Sequence, residues 1–216
     1  MSDTHDQIVD SAMKHLYKMG YNRFSFAYVA EDCGIAKASI HYHFPNKDAL
    51  VLAAIDKYSA RVTEALDRLR NDSTLSANEK FEALFKFAFD HIVDTQYKGC
   101  LAGNLGLEIS ETNKAIAARV RAFLQRKTLV IAAIVEQGRA ARSYATDFEA
   151  SEFAQSIVLM IEGGIMLAKI YKSDEPLLNA LDLCRERVQA IQRQPRTLRD
   201  LYRPARRPAQ RAAQRN

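Results

Sequence analysis

The sequence predicts an all-α protein of about nine helices, and three observations carry that reading. Over 216 residues there are only 8 Gly and 5 Pro, few breakers for so long a chain. Apolar residues recur three, four and seven positions apart along most of its length. No stretch alternates β-branched and polar residues in the manner of a half-buried strand.

The first helix opens on Thr4, with Gln7 three residues later in a capping-box pattern. Ile8, Ala12, Leu16 and Met19 continue at helical spacing until Gly20 ends the element. Residues 21–24 form a connector. Ser25 then caps a second helix, where its hydroxyl can hold an exposed backbone donor or a phosphate. Val29, Ala30 and Cys33 lie three, four and seven positions past Phe26, giving this helix one narrow apolar face. Gly34 closes it, as a residue tolerant of positive φ should.

Ile35, Ile40 and Phe44 anchor the third helix, which Pro45-Asn46 stops. Between those anchors stand Lys37, Ser39, His41, Tyr42 and His43, polar or aromatic and mostly off the apolar face. A short helix with an anchored back and such a front suits the major groove of DNA.

Asn46 caps a long fourth helix running to about residue 70, with an apolar stripe of Leu50, Ala53, Ala54, Val62, Leu66 and Leu69. After a loop at 71–75, Ser76 and Glu79 form a second capping box for a helix carrying Phe81, Leu84, Phe85, Ala88, Phe89 and Ile92. The segment 97–110, YKGCLAGNLGLEIS, holds three of the eight glycines, so it is bent or contains a short helix starting near Asn104. A helix of about thirty residues spans 113–142 and is apolar nearly all round between Leu129 and Val135, the mark of a buried helix. Thr146 with Glu149 makes a third capping box, opening a helix to about Tyr171. Ser173 and Pro176 open the last, which ends near Gln192. Residues 193–216 hold Pro and Arg with almost no apolar content and read as a disordered tail.

Net charge is +5, but residues 193–216 contribute eight Arg and one Asp, leaving residues 1–192 at −2. Positions 1–47 carry five basic and five acidic residues. Basicity therefore gives no argument for a nucleic-acid partner; the helix pair has to carry it. The longest apolar run, 157–168, is interrupted by Glu162 and is short for a bilayer span. The polar, acidic N-terminus lacks the parts of a signal peptide, so a cytoplasmic location is expected, with no membrane partner. Cys33, Cys100 and Cys184 have neither metal-ligand nor redox-motif spacing. No pairing of nucleophile and base points to an enzyme, and no cofactor is called for.

The stretch SFAYVAEDCGIAKASIHYHFPNKDAL, with a Gly ending the helix before it, resembles the N-terminal domain of the TetR family of bacterial transcriptional regulators. The V-A-x-x-x-G-I turn, the Ala38-Ser39 pair, the H-Y-H-F end and the N-K-D-A-L start all fall at that family's spacings. The resemblance implies a three-helix helix-turn-helix DNA-binding head at 1–47. A helical ligand-binding and dimerisation domain would follow at 48–192, then the basic tail at 193–216. It implies a homodimer through the last two helices on a palindromic double-stranded operator, and an unknown small-molecule inducer.

Site roles follow the same way. Ser25 and Lys47 look like phosphate clamps on either side of the motif, with Tyr42 or His43 as a third. Lys37, Ala38, Ser39 and His41 look like the base-facing set. Two positions depart from the pattern: Ala36 stands where a Ser or Thr is usual, and His41 where a Tyr is usual. GCLAGNLGLE at 99–108 resembles the GCLxGNLxxE segment of a subgroup, some members of which sense electrophiles or oxidants through its cysteine, here Cys100. Phe85, Phe89, Tyr97, Asn104 and Met160 complete the candidate ligand set, although aromatic residues at helical spacing are first of all core. The expected function is a ligand- or electrophile-responsive repressor. The alternatives are an activator on the same fold, or a helical enzyme or lipid-binding protein with a relic head.

The Arg-rich tail is most simply a solvated end; if it adds non-specific affinity, removing residues 193–216 should weaken binding to all DNA sequences alike and lower the slope of log affinity against log salt. Titrations of the full and shortened chains at several salt concentrations measure this; an unchanged slope removes the tail from the interface.

Overall fold

The computed structural model describes residues 2–96 and 98–192, so Tyr97 and the basic tail lie outside the described residues. Among the described residues the chain forms nine helices: α1 (Ser2–Arg23), α2 (Phe26–Cys33), α3 (Lys37–His43), α4 (Lys47–Asn71), α5 (Ala77–Asp94), α6 (Leu101–Ile109), α7 (Lys114–Ala140), α8 (Ala150–Tyr171) and α9 (Glu175–Ile191). The all-α expectation holds, with an N-terminal helix-turn-helix unit leading into a larger helical domain.

Ile8, Phe24, Phe26, Val29, Ile40 and Phe44 bury the inner faces of α1–α3. Helix α4 then packs against α1, α5, α6 and α7, while α8 lies between α7 and α9. Several helix starts carry the side-chain caps that their sequence offers. Asn46 Oδ1 accepts from Ala49 N at 2.9 Å, and Asn113 Oδ1 from Ile116 N at 3.1 Å. Ser76 and Glu79 form the reciprocal capping box.

Three expected starts are corrected. Thr4 lies inside α1, which begins at Ser2, a shift of the size by which frayed ends commonly differ. Helix α6 begins at Leu101 rather than near Asn104, because Cys100 Sγ accepts from Gly103 N at 3.3 Å and serves as the cap. Asn104, one turn in, donates instead to Lys98 O at 2.9 Å. Helix α8 begins at Ala150 without a side-chain cap, so Thr146 and Glu149 form no box. The segment before it is drawn away from helical geometry: Tyr144 bridges to Gln192, Ala145 N donates to Ile191 O, and Arg139 donates to the carbonyls of Ala145 and Phe148.

Helix α8 is 22 residues long and apolar enough to cross a membrane by length and composition, which the interrupted run at 157–168 had not suggested. Here it contributes Phe153, Ala154, Ile157, Ile161 and Ile165 to the core of the larger domain. Leu129 on α7 is 62% exposed, so the run to Val135 is apolar all round without being buried all round.

Two buried polar groups tie the far end of the bundle. Lys80 is 5% exposed, and its Nζ donates to Arg70 O at 2.7 Å and Gln137 Oε1 at 2.8 Å, holding the end of α4 to α5 and α7. Tyr144 is wholly buried, its hydroxyl donating to Asn78 Oδ1 at 2.7 Å. Its ring lies flat on Gly138, where an added Cβ would sit 2.2 Å from Cδ2.

Gly138→Ala should therefore destabilise the fold by about 1–3 kcal/mol, the usual cost of overpacking, because a ring pinned at its hydroxyl cannot retreat. Urea unfolding of the variant against the native chain tests it; equal midpoints would show that the ring yields freely.

Candidate nucleic-acid interface and buried cavity

The α2–α3 turn is built as its sequence demands. Gly34 takes φ 65°, ψ 30°, its N–H closing on Ala30 O and Glu31 O, and Ile35 N donates to Ala30 O at 3.1 Å. Ala36 starts α3 with no side-chain cap, as expected of an alanine, while Ile40 and Phe44 hold the helix from behind. Its front leaves Lys37, Ala38, His41 and Tyr42 exposed, Tyr42 by 78%, with Ser39 and His43 half-buried.

His41 meets the Phe26 ring edge-on at 4.8 Å, and His43 turns back to His5 of α1 at 6.1 Å. Ser25 occupies the N-cap of α2, yet its hydroxyl makes no capping bond. Lys47 is folded over Tyr21, Nζ 4.1 Å from the ring centroid and 3.5 Å from Asn22 O. Burial pulls its pKa down against the opposing pull of Asp48 and Glu108.

The larger domain holds a partly open cavity of about 40 Å³ between α4, α5, α7 and α8. Val62, Leu66, Leu84, Ile131, Val158 and Ile165 make most of its wall apolar. One side is polar: Tyr58 and Cys100, with Tyr58 Oη donating to Sγ at 3.5 Å, then Lys127, Glu162 and His91. Lys127 donates to Glu162 in a nearly buried pair. Burial is the largest single influence and opposes the lysine's charge, but Glu162 and Cys100 together outweigh it, so the Lys127 pKa is raised overall. His91 is pushed the other way, by burial and then by Lys127, and its Nε2 has no hydrogen-bond partner among the described residues.

A wider cleft of about 530 Å³ opens on the far side of Cys100, Glu162 and Ile165, which line both spaces. Gly103, Gly106, Leu107, Arg121 and Met166 help to form it.

Of the ligand candidates read from the sequence, Cys100 and Asn104 reach these walls. Phe85 is fully buried in the core and Phe89 and Met160 pack against it; none of the three faces either space. Sequence reasoning missed Tyr58, His91, Lys127 and Glu162. Glu162 did leave a signal, as the one charge in an apolar run, but it was read only as an interruption.

Gly163 and Gly164, costly inside a helix, suggest close approach of a partner helix or of a ligand, the helix by preference. At Gly164 the partner is α9: a Cβ would stand 2.8 Å from that of Ala180. Gly163 faces the open cleft, with nothing within 4 Å of a Cβ built there.

A solvent-facing helix presented across a left-handed turn, ahead of a separate helical domain with its own cavity, defines a helix-turn-helix regulator. Residues 8–54 match the description "Bacterial regulatory proteins, tetR family", and residues 77–184 match "Tetracyclin repressor-like, C-terminal domain". The chain belongs to the TetR family of bacterial regulators, and it is a DNA-binding transcriptional regulator of that type.

Among curated relatives it is 23% identical over 174 residues to the transcriptional regulator AcuR of Cereibacter sphaeroides, covering 80% of each chain. It is 27% identical to the uncharacterised HTH-type regulator YxaF of Bacillus subtilis, covering 82% of this chain and 90% of that one. A TetR regulator from Legionella pneumophila superposes with a TM-score of 0.75 at 27% identity, over 86% of this chain and 95% of the other. The regulatory protein TetR from Rhodobacter sphaeroides shares the fold, with a TM-score of 0.79 over 85% and 97% at 22% identity.

Cys100 sits at a helix N-terminus, which favours a thiolate, but burial dominates and lifts its pKa from 9.0 to about 11, with Glu162 adding to the rise. The folded state thus favours the thiol, a contribution present below pH 9 and lost as pH rises through about 11. Iodoacetamide should alkylate Cys100 about 100-fold more slowly in the folded chain than in urea at mildly alkaline pH. Peptide mass analysis reads this; equal rates would mean that the thiol is open to solvent.

Proposed function

We propose that the chain is a homodimeric, ligand-released repressor acting on a palindromic operator in the cytoplasm. Its head would span 1–47, and its regulatory and dimerisation part 48–192. The observation that carries the reading is the position of the cavity: Tyr58, Val62 and Leu66 on its wall belong to α4, the helix that leaves α3 directly. A ligand that repacks this wall moves the helix on which the head is mounted. It releases DNA only by binding the two arrangements with different affinity. At about 40 Å³ the space holds little more than a water, so a small, largely apolar molecule with one polar group would enter by the adjoining cleft of about 530 Å³ and repack the shared wall.

The DNA contacts fall to the exposed front of α3. Lys37, Ala38, Ser39 and His41 read base edges, while Ser25, with its hydroxyl unused in capping, and Tyr42 or His43 take phosphates. Lys47 joins them by leaving the Tyr21 ring.

For the dimer, the outer faces of α8 and α9 expose Leu159, Ile170, Tyr171 and Leu183, between 53% and 66% each. Large apolar groups clustered on two adjacent helices favour a partner surface. The negative sign draws support from IcaR of Staphylococcus epidermidis, named as a negative regulator of a biofilm operon and 28% identical over 121 residues, 56% of this chain and 60% of that one. A second reading, modification of Cys100 by an electrophile, is favoured by the place of Sγ between the two spaces and by the GCLAGNLGLE segment.

Selection of bound sequences from random DNA, followed by a screen of small organic acids, aldehydes and quinones for release, tests the reading. The expected outcome is an inverted repeat, bound by a dimer and released by at least one compound. Ile170→Glu with Leu183→Glu should give monomers that bind this DNA at least about 100-fold more weakly, since each head then binds alone. A dimer that survives both changes places the interface elsewhere. Release that persists in Cys100→Ser excludes the covalent reading.

A further inference from the structure

Helix α1 does not run straight into the connector. At Gly20 the backbone takes φ 73°, ψ −177°, and the chain swings so that two successive N–H groups face the larger domain. Tyr21 N donates to Glu108 Oε2 and Asn22 N to Glu108 Oε1, both at 2.8 Å. Glu108 lies in the last turn of α6, whose first turn is capped by Cys100 at the cavity wall. The approach is close: a Cβ on Gly20 would sit 2.5 Å from Oε2. Glycine is thus required twice, for its positive φ and for its empty side.

A second bridge stands beside the first. Asp48, at the start of α4, accepts from Tyr21 Oη at 2.5 Å and from Asn113 Nδ2 at 2.8 Å. Asn113 also caps α7. Lys47 covers the Tyr21 ring from the other side.

We infer that Glu108 is a positioning residue for DNA binding: its carboxylate holds the Tyr21 and Asn22 amides and so sets the angle of the head on the larger domain. A carboxylate accepting two N–H bonds makes strong, directional contacts. It grips backbone rather than an apolar surface, and Glu108 itself is exposed, so little burial depends on it. Its loss frees an angle without opening a core. The inference rests on the reading of α1–α3 as the DNA-binding head.

The test uses the full chain and the operator sequence obtained by selection. Failure of the native chain to bind any selected DNA would count against the head itself; every later arm addresses Glu108 alone. Glu108→Ala and Glu108→Gln should each weaken operator binding, by about tenfold for Ala and less for Gln, which keeps one acceptor oxygen. Thermal unfolding should change little, and amide exchange at Tyr21 and Asn22 should speed up.

Gly20→Ala should weaken binding in the native background and cost clearly less in the Glu108→Ala background, where the carboxylate it would strike is gone. Unchanged affinity in Glu108→Ala, fast exchange of both amides in the native chain, or strictly additive effects of the two changes would each overturn the assignment. Should the Ala variant fold poorly, Glu108→Gln with the exchange measurement decides alone.

Discussion

Helix α4 belongs to two packed regions at once, and the arrangement of everything else follows from that. Its first half buries Leu50, Val51, Ala54 and Ile55 and is tied to α1 through Lys57, whose Nζ lies 2.9 Å from Asp10. Its second half supplies Tyr58, Val62 and Leu66 to the cavity wall, and Lys80 holds the Arg70 carbonyl near its end. A single rigid helix with both ends committed cannot adjust locally to a change at either one, because packed interiors yield as units rather than continuously. On the proposed reading, a ligand at the cavity would act by rotating or shifting the whole rod, and the head mounted at its N-terminal end would be carried along.

The polar side of the cavity gives that rod something to respond to. Lys127 and Glu162 are nearly buried, and a buried pair of this kind is weak evidence for stability, since desolvation offsets much of the attraction. Apolar residues of like volume would serve packing at least as well. The pair makes better sense as a group that an incoming polar atom can engage. Glu162 borders both the smaller space and the wider cleft, so a polar group entering from either side would meet this pair. His91, neutral and with a free nitrogen, adds a donor or acceptor on the same side without adding charge.

The head was legible in the sequence because its constraints are local. Gly34 and Asn46 each satisfy a backbone requirement within three or four residues, so type and spacing suffice to find them. Of the three corrected starts, one turns on a distant group. Thr146 and Glu149 have the right spacing for a cap, but Arg139 and the strand-like pairing with α9 hold that segment extended. Cys100, an uncommon cap, starts α6 three residues before the polar Asn104 that the pattern favoured. The cavity was the least legible. Tyr58, His91, Lys127 and Glu162 come from four different segments, and no spacing relates residues that meet only across a bundle. The aromatic stripe of α5 was visible, but Phe85 and Phe89 spend it on core.

The burial of Cys100 bears on how any signal would travel. A thiol raised to about 11 and accepting from Gly103 N is a structural group first, since its bond starts α6. For that very reason, a change at Sγ cannot stay silent. A bulky adduct, or a ligand that displaces the Tyr58 hydroxyl from it, removes the cap of a nine-residue helix, short enough that its ends make up most of its stability. The opposite end of that helix carries Glu108 and its hold on the connector. On the proposed reading, covalent and non-covalent ligands would act on the same two elements, α4 through its side chains and α6 through its cap. The two routes differ in reversibility and in whether thiol chemistry is needed, not in the part of the head they reach.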